Sequence, residues 1–237
     1  MEYSEGMKSL LDDVYDYNSF FVDSDDEEEL LDRIMDAMSA VDRMFFVPAD
    51  LKHEAYTDAA LPVEAGQTIS QPSTVARMLF LLEPNPGENI LEVGAGSGWN
   101  AALLGHLANP RGKIVSVERI PELVGRAKEN IKKFKSFMDA EFLEYKDFFS
   151  NINFRNENVF EMIFDAKKFD KIIFTAGFID EIMLEKVENF GKKFLQENGI
   201  LIVPSASGPI YKYIFEKGDL KKWESEEEYA FVSLADN

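Results

Sequence analysis

Glu92, Gly94, Ala95, Gly96 and Gly98 stand together in the run Leu91-Glu92-Val93-Gly94-Ala95-Gly96-Ser97-Gly98-Trp99. Glycine lets backbone N–H groups approach a ligand with no Cβ in the way, and a helix that starts there offers free donors to an anion. Such a turn suits something flat or anionic. Glu118 follows Gly94 by 24 residues, at the end of the next apolar run. Its two carboxylate oxygens match the two hydroxyls of a ribose. Arg119 beside it leaves a ribose phosphate open. The glycine pattern itself disfavours a dinucleotide, because the third glycine comes one place early and position 99 is Trp. A P-loop is excluded, since no Gly-Lys-Ser/Thr is present.

These residues need a frame, and the hydropathy pattern supplies one. Apolar runs at 89–93, 113–118, 140–145, 169–174 and 199–204 read as strands. Helical spacing fills the gaps at about 98–107, 121–134 and 180–196. Alternation of this kind implies a doubly wound α/β sheet, mostly parallel. Two further runs, 210–216 and 228–234, read as an antiparallel pair at its edge. Upstream, Leu30, Leu31, Ile34, Met35, Met38 and Val41 form one helical stripe, and Val75, Met78, Leu79 and Leu82 form another after Pro72. Ser70 stands where it can cap that second helix. The stretch 45–71, with Pro48, Pro62 and Gly66, reads as a functional loop. The expected division is an acidic lead-in over 1–26, helices and a substrate loop over 27–83, and the sheet over 84–237, all within one structural domain.

Of 237 residues, 44 are acidic and 25 basic, a net charge of −19. That sign opposes nucleic acid and anionic membranes. Eleven acids against one base fall in the first thirty residues, which reads as a solvated segment ending in helix-start acids or as an acidic interaction arm. Cysteine is absent, so disulfides, thiolate catalysis and cysteine-held metals are impossible. His53 and His106 make no metal site between them. With no apolar run near the ~18 residues of a membrane span, the expectation is a cytoplasmic, monomeric chain, without membrane or nucleic-acid partners.

Gly-x-Gly-x-Gly after an acid is similar to the first motif of S-adenosylmethionine-dependent methyltransferases. The upstream runs then become informative: Arg43-Met44-Phe45-Phe46-Val47-Pro48, Ala55-Tyr56-Thr57-Asp58, Leu61-Pro62, Gly66-Gln67-Thr68-Ile69-Ser70-Gln71-Pro72 and Val75-Ala76-Arg77-Met78. In order and spacing, with the glycine loop, they resemble the protein-L-isoaspartate O-methyltransferase family over roughly residues 30–130.

That resemblance implies a seven-stranded, Rossmann-like sheet and transfer of a methyl from S-adenosylmethionine to isoaspartyl peptides, with S-adenosylhomocysteine as product. It implies Ser70 as the active-site hydroxyl. It implies Thr68, Glu92, Gly94, Ala95, Gly96, Gly98, Glu118, Arg119, Asp147 and Thr175 on the cofactor, with Asp147 toward the adenine amino group. Tyr56, Leu61, Pro62, Gln67, Phe231 and Val232 are implied on the peptide. The chain departs from the family at Lys146-Asp147-Phe148, where Gly-Asp-Gly is common, at 175–179, at Ser73 and at Ser233. A carboxyl methyltransferase with another acceptor and a cofactor-binding protein without turnover remain alternatives. Trp99 suits either a cofactor wall or helix packing, and Phe178-Ile179 either a peptide cap or a helix start.

Overall fold

The computed structural model describes residues 4–141, 149–162, 164 and 169–235. Two helices open the chain, α1 (Glu5–Ser19) and α2 (Asp25–Ala40). Residues 5–19 of the acidic 1–26 segment are thus a packed helix rather than a solvated lead-in. Met7, Leu10 and Val14 recur at helical spacing and are buried, a stripe thin enough to hide among the surrounding acids. α2 begins with a variant of the capping box: Ser24 Oγ accepts from Glu27 N at 3.4 Å, while Glu27 accepts at 2.8 Å from the N–H of Asp23, one residue before the N-cap. Asp25, Asp26, Glu27 and Glu28 fill its first turn, where acids favour the helix dipole.

After 3₁₀ turns come a hairpin of two-residue strands, β1 (Leu61–Pro62) and β2 (Thr68–Ile69), and α3 (Pro72–Leu82). The doubly wound unit follows as β3 (Asn89–Val93), α4 (Trp99–Leu107), β4 (Lys113–Glu118), α5 (Pro121–Glu141), β5 (Ile152–Asn156), β6 (Phe169–Phe174), α6 (Glu181–Phe194) and β7 (Leu195–Pro204). Then come β8 (Ser207–Gly208), β9 (Ile210–Glu216), β10 (Asp219–Glu224) and β11 (Tyr229–Ala230). The seven-stranded sheet runs β10-β9-β7-β6-β3-β4-β5, parallel from β7 to β5 and antiparallel through β9 and β10. Strand order reverses around β3, the switch point where such sheets bind ligands at their carboxyl ends. Among the described residues no helix is long and apolar enough to cross a membrane.

Two strands are not where the pattern put them. The third parallel strand is β5 rather than 140–145, because α5 extends through Glu141 with Phe134 and Met138 buried one turn apart. β5 is a half-exposed edge strand with Arg155 in its middle, so it lacks an apolar run. Residues 142–148, Asp147 among them, lie outside the described residues. At the other edge, β9 pairs with β10 through Lys217-Gly218, both at positive φ, and not with 228–234. β10 is polar and carries Lys221 and Lys222, as exposed edges do. Of the expected strand, Tyr229–Ala230 joins β8 and Ser233 makes a single parallel bridge to Gly177.

Candidate active site

A cavity of about 450 Å³ opens over the carboxyl ends of β3, β4 and β6. Gly94, Ala95 and Gly96 line it from the turn between β3 and α4. Backbone bonds fix that turn: Gly94 N donates to Val117 O at 2.8 Å, and Gly98 N to Ala95 O at 2.8 Å. All three glycines have positive φ, +103° at Gly94, +49° at Gly96 and +86° at Gly98. Their surroundings differ. A Cβ on Gly94 would lie 2.2 Å from Thr175 Oγ1, whereas one on Gly96 would meet nothing within 4 Å and stand in the open cavity.

Glu118, largely buried, ends β4 facing the turn. Its Oε2 accepts from Gly96 N at 3.2 Å and its Oε1 from Ile120 N at 3.0 Å. Each carboxylate oxygen can accept a second bond, so the group is preorganised with capacity for a diol. Arg119, Thr68 and Thr175 also line the cavity. Thr175 Oγ1 donates toward Val93 O at 3.1 Å and Gly94 O at 2.7 Å, tying β6 to the glycine turn.

Gly98 and Glu92 lie behind this surface. A Cβ on Gly98 would come 3.1 Å from Ala127 Cα, so that glycine admits α5. Glu92 is wholly buried, accepting from Ser116 Oγ and from Asn100 Nδ2 at 2.9 Å. Burial pushes its pKa up to about 7 against those bonds. Trp99 lines the cavity and also donates its indole N–H to Val41 O at 3.1 Å, so it serves both as wall and as packing.

Ser70 and Gln67 line the facing wall. Ser70 is not the cap of α3. Gln71 is the N-cap residue, and the capping oxygens come from Asp58, which accepts from Ser73 N at 2.8 Å, Ser73 Oγ at 2.6 Å and Gln71 Nε2 at 2.9 Å. Ser70 Oγ makes no hydrogen bond to another described residue, while Ser70 O accepts from Arg43 at 3.2 Å. Arg43, 2% exposed, also donates to the carbonyls of Ala55 at 2.9 Å, Thr57 at 3.2 Å and Ala59 at 2.8 Å, and its guanidinium lies 5.4 Å over Trp99. Desolvation lowers its pKa to about 10 despite Asp58.

Phe231 and Val232 line the cavity from the C-terminal segment, which is held by Gly177 N to Val232 O at 2.8 Å. Tyr56, Leu61 and Pro62 do not line it. Tyr56 donates to Asp42 at 3.0 Å, and its pKa rises to about 12 through burial first and Asp42 next. Leu61 is core, and Pro62 pairs with Thr68 in the hairpin. Phe178 is buried against Tyr211, while Ile179 is exposed.

Sequence reasoning missed Glu157 and Asn158, which line the cavity just after β5. They occupy the place after the third strand that Asp147 was expected to fill. An acid followed by Asn at the end of Ile152–Asn156 is the signal, visible only once β5 is located. Glu157 is held by Arg155 at 2.8 and 2.9 Å.

A family model described as protein-L-isoaspartate(D-aspartate) O-methyltransferase matches residues 24–237. A protein-L-isoaspartate O-methyltransferase of Ignicoccus hospitalis is 36% identical over 190 residues, covering 77% of this chain and 78% of that one. The Aeropyrum pernix enzyme of that name is 52% identical over 101 residues, but the match covers only 43% of this chain and 39% of that protein. With the Methanopyrus kandleri enzyme the covered share is 45%, so the chain spans less than half the length of these two relatives. A Plasmodium falciparum protein assigned to the same activity, solved with S-adenosyl-L-homocysteine, superposes with a TM-score of 0.76 over 99% of this chain and 100% of that one. At 24% identity that likeness speaks for the fold.

Proposed function

The chain belongs to the protein-L-isoaspartate(D-aspartate) O-methyltransferase family, and from that premise we propose that it methylates the free main-chain carboxylate of isoaspartyl residues in proteins, using S-adenosylmethionine. One observation carries the reading: Ser70, whose hydroxyl is unengaged among the described residues, lines the same cavity as Gly96 and the preorganised Glu118. The fit to the cofactor rests on the open space at Gly96 and on the spare acceptor capacity of Glu118. When bound, S-adenosylmethionine supplies an electrophilic methyl on a sulfonium.

Glu118 takes the ribose hydroxyls. The amides of Ala95 and Gly96, with Arg119, Thr68 and Thr175, shape the rest of the pocket, and Glu157 or Asn158 stands on the adenine side. Glu92 and Gly98 act one layer back, by holding the turn. Gln67, Phe231 and Val232 meet the peptide, while Tyr56, Leu61 and Pro62 support the wall behind.

An isoaspartyl main-chain carboxylate has a pKa of about 3.5 and is ionised at neutral pH. No general base is needed, which suits a chain whose two histidines do not line the cavity. The protein's work is to align oxygen with methyl carbon at about 3–3.5 Å and exclude water. Ser70 donates one hydrogen bond that orients the carboxylate without binding it so tightly that the ground state gains.

Labelled methyl from the cofactor should appear as a base-labile ester on an isoaspartyl peptide and not on its normal aspartyl twin. Equal labelling of both peptides, or of neither, would defeat the proposal.

A further inference from the structure

α1 lies ahead of the family-matched stretch 24–237 and still reaches both parts of the acceptor wall. Near its C-terminal end, the hydroxyls of Tyr17 and Tyr229 share a hydrogen bond of 3.1 Å across 212 residues of chain. Tyr229 lines the cavity, and its ring centroid is 6.3 Å from that of Phe231, which lines it too. Asn18, 1% exposed, donates to Val14 O at 3.0 Å and to Ser73 O at 3.3 Å. Ser73 in turn holds Asp58, which holds cavity-lining Gln71. At the other end of α1, a Cβ on Gly6 would sit 3.3 Å from the Tyr56 ring, so the helix packs closely on the 55–71 loop.

The corner after α1 adds a second tie. Phe21 meets Tyr17 edge-on at 5.6 Å and carries the Arg77 guanidinium 3.7 Å over its face. Arg77 faces Glu227 at 3.9 Å, two residues before Tyr229. The start of the closing segment is therefore anchored to the first helical corner by one hydrogen bond and one cation stacked on an aromatic ring.

We propose that α1 is a positioning element for the methyl acceptor, with Tyr17 fixing Tyr229 and through it the Phe231 wall of the peptide site. The inference rests on the methyl-transfer reading above. Burial and the neighbouring hydroxyl push the Tyr229 pKa up, so Tyr229 keeps its proton in this contact. A phenylalanine at either position keeps the ring and loses only the bond. Tyr17 is absent from the cavity lining and itself touches no reacting atom.

Tyr17→Phe in the full chain tests this. KM for an isoaspartyl peptide should rise about two- to tenfold, the span of one net hydrogen bond, with kcat and S-adenosylhomocysteine affinity unchanged. Amides of 229–234 should exchange with deuterium faster. Tyr229→Phe should behave alike, and the double variant should be no worse than either single one. Should wild-type protein leave isoaspartyl peptides unmodified, the methyl-transfer reading fails, and the exchange measurement still judges whether Tyr17 holds the segment. Unchanged exchange overturns the positioning role. Faster exchange with unchanged KM, or an equal loss of S-adenosylhomocysteine affinity, overturns its assignment to the acceptor.

Discussion

Gly94, Gly96 and Glu118 sit at the ends of β3 and β4, adjacent parallel strands whose register places them. Ser70 and Phe231, by contrast, sit in segments containing only two-residue strands and tight turns. Main-chain bonds hold the first wall, as in Gly94 N to Val117 O at 2.8 Å and Thr175 N to Val93 O at 2.9 Å. Side chains from distant sequence hold the second: Arg43 on four carbonyls, Asp58 on the start of α3, Tyr17 on Tyr229. A wall made by the sheet fails when a side chain is added to it, and a wall made by side chains fails when one is taken away.

The harshest way to break the first wall is Gly94→Ala. Positive φ disfavours any Cβ there, and this one would collide with Thr175 Oγ1 at 2.2 Å. We expect a loss of at least about 3 kcal/mol of stability and of cofactor binding, read by thermal melts with and without S-adenosylhomocysteine. Gly96→Ala sharpens the point. Its Cβ meets no protein atom, so stability should fall by only about 1 kcal/mol for the backbone conformation, while the methyl intrudes on the ligand and weakens binding. Equal melting of the two variants would show that the turn is not packed as described.

Removing a support from the second wall is the next largest effect. Arg43→Lys keeps the charge and cannot reach four carbonyls with a planar fork. Leaving buried acceptors unpaired should cost about 2–4 kcal/mol. Peptide KM should rise more than cofactor Kd, measured by calorimetry alongside urea unfolding. A larger change in cofactor Kd would mean that Arg43 serves the glycine turn through Trp99 instead.

Beneath the first wall, Glu92 titrates with its folded pKa raised to about 7 by burial. Between the unfolded value near 4.5 and that folded value, the native state binds the extra proton. Stability from this group is therefore full below about pH 4.5 and is lost as pH rises through 7, by up to about 3 kcal/mol. Urea unfolding from pH 5 to 8 should show that decline against the background of other groups, and Glu92→Gln should flatten it. A slope identical in both proteins would mean that Glu92 keeps its charge in the fold.

The difference between the walls also explains what could be read from sequence. Gly94, Gly96 and Glu118 were legible because a strand, a turn and the next strand fix geometry over 24 residues. That Ser70 lines the cavity agrees with the resemblance, but whether it caps α3 was not resolvable, because Asp58 supplies those acceptors from fifteen residues before Ser73. β5 escaped because α5 runs on under Phe134 and Met138, and an edge strand needs no apolar run. α1 escaped because only Met7, Leu10 and Val14 mark its buried stripe amid acids. The Tyr17–Tyr229 contact spans nearly the whole chain, a distance at which spacing carries no information.

The smallest effect separates orientation from architecture on the second wall. If Ser70 only orients the acceptor, Ser70→Ala removes one hydrogen bond to a charged group, and kcat/KM should fall about tenfold, near 1.4 kcal/mol. Cofactor affinity and melting temperature should stay put, because the hydroxyl caps nothing. Asp58→Ala should do the reverse in kind. It strips the start of α3 of its acceptors, so stability should drop by about 1–2 kcal/mol, and turnover should suffer only as far as the Ser70 backbone shifts with Gln71. A Ser70→Ala protein that melts earlier, or an Asp58→Ala protein that melts unchanged, would return the capping role to Ser70 and leave the acceptor without its donor.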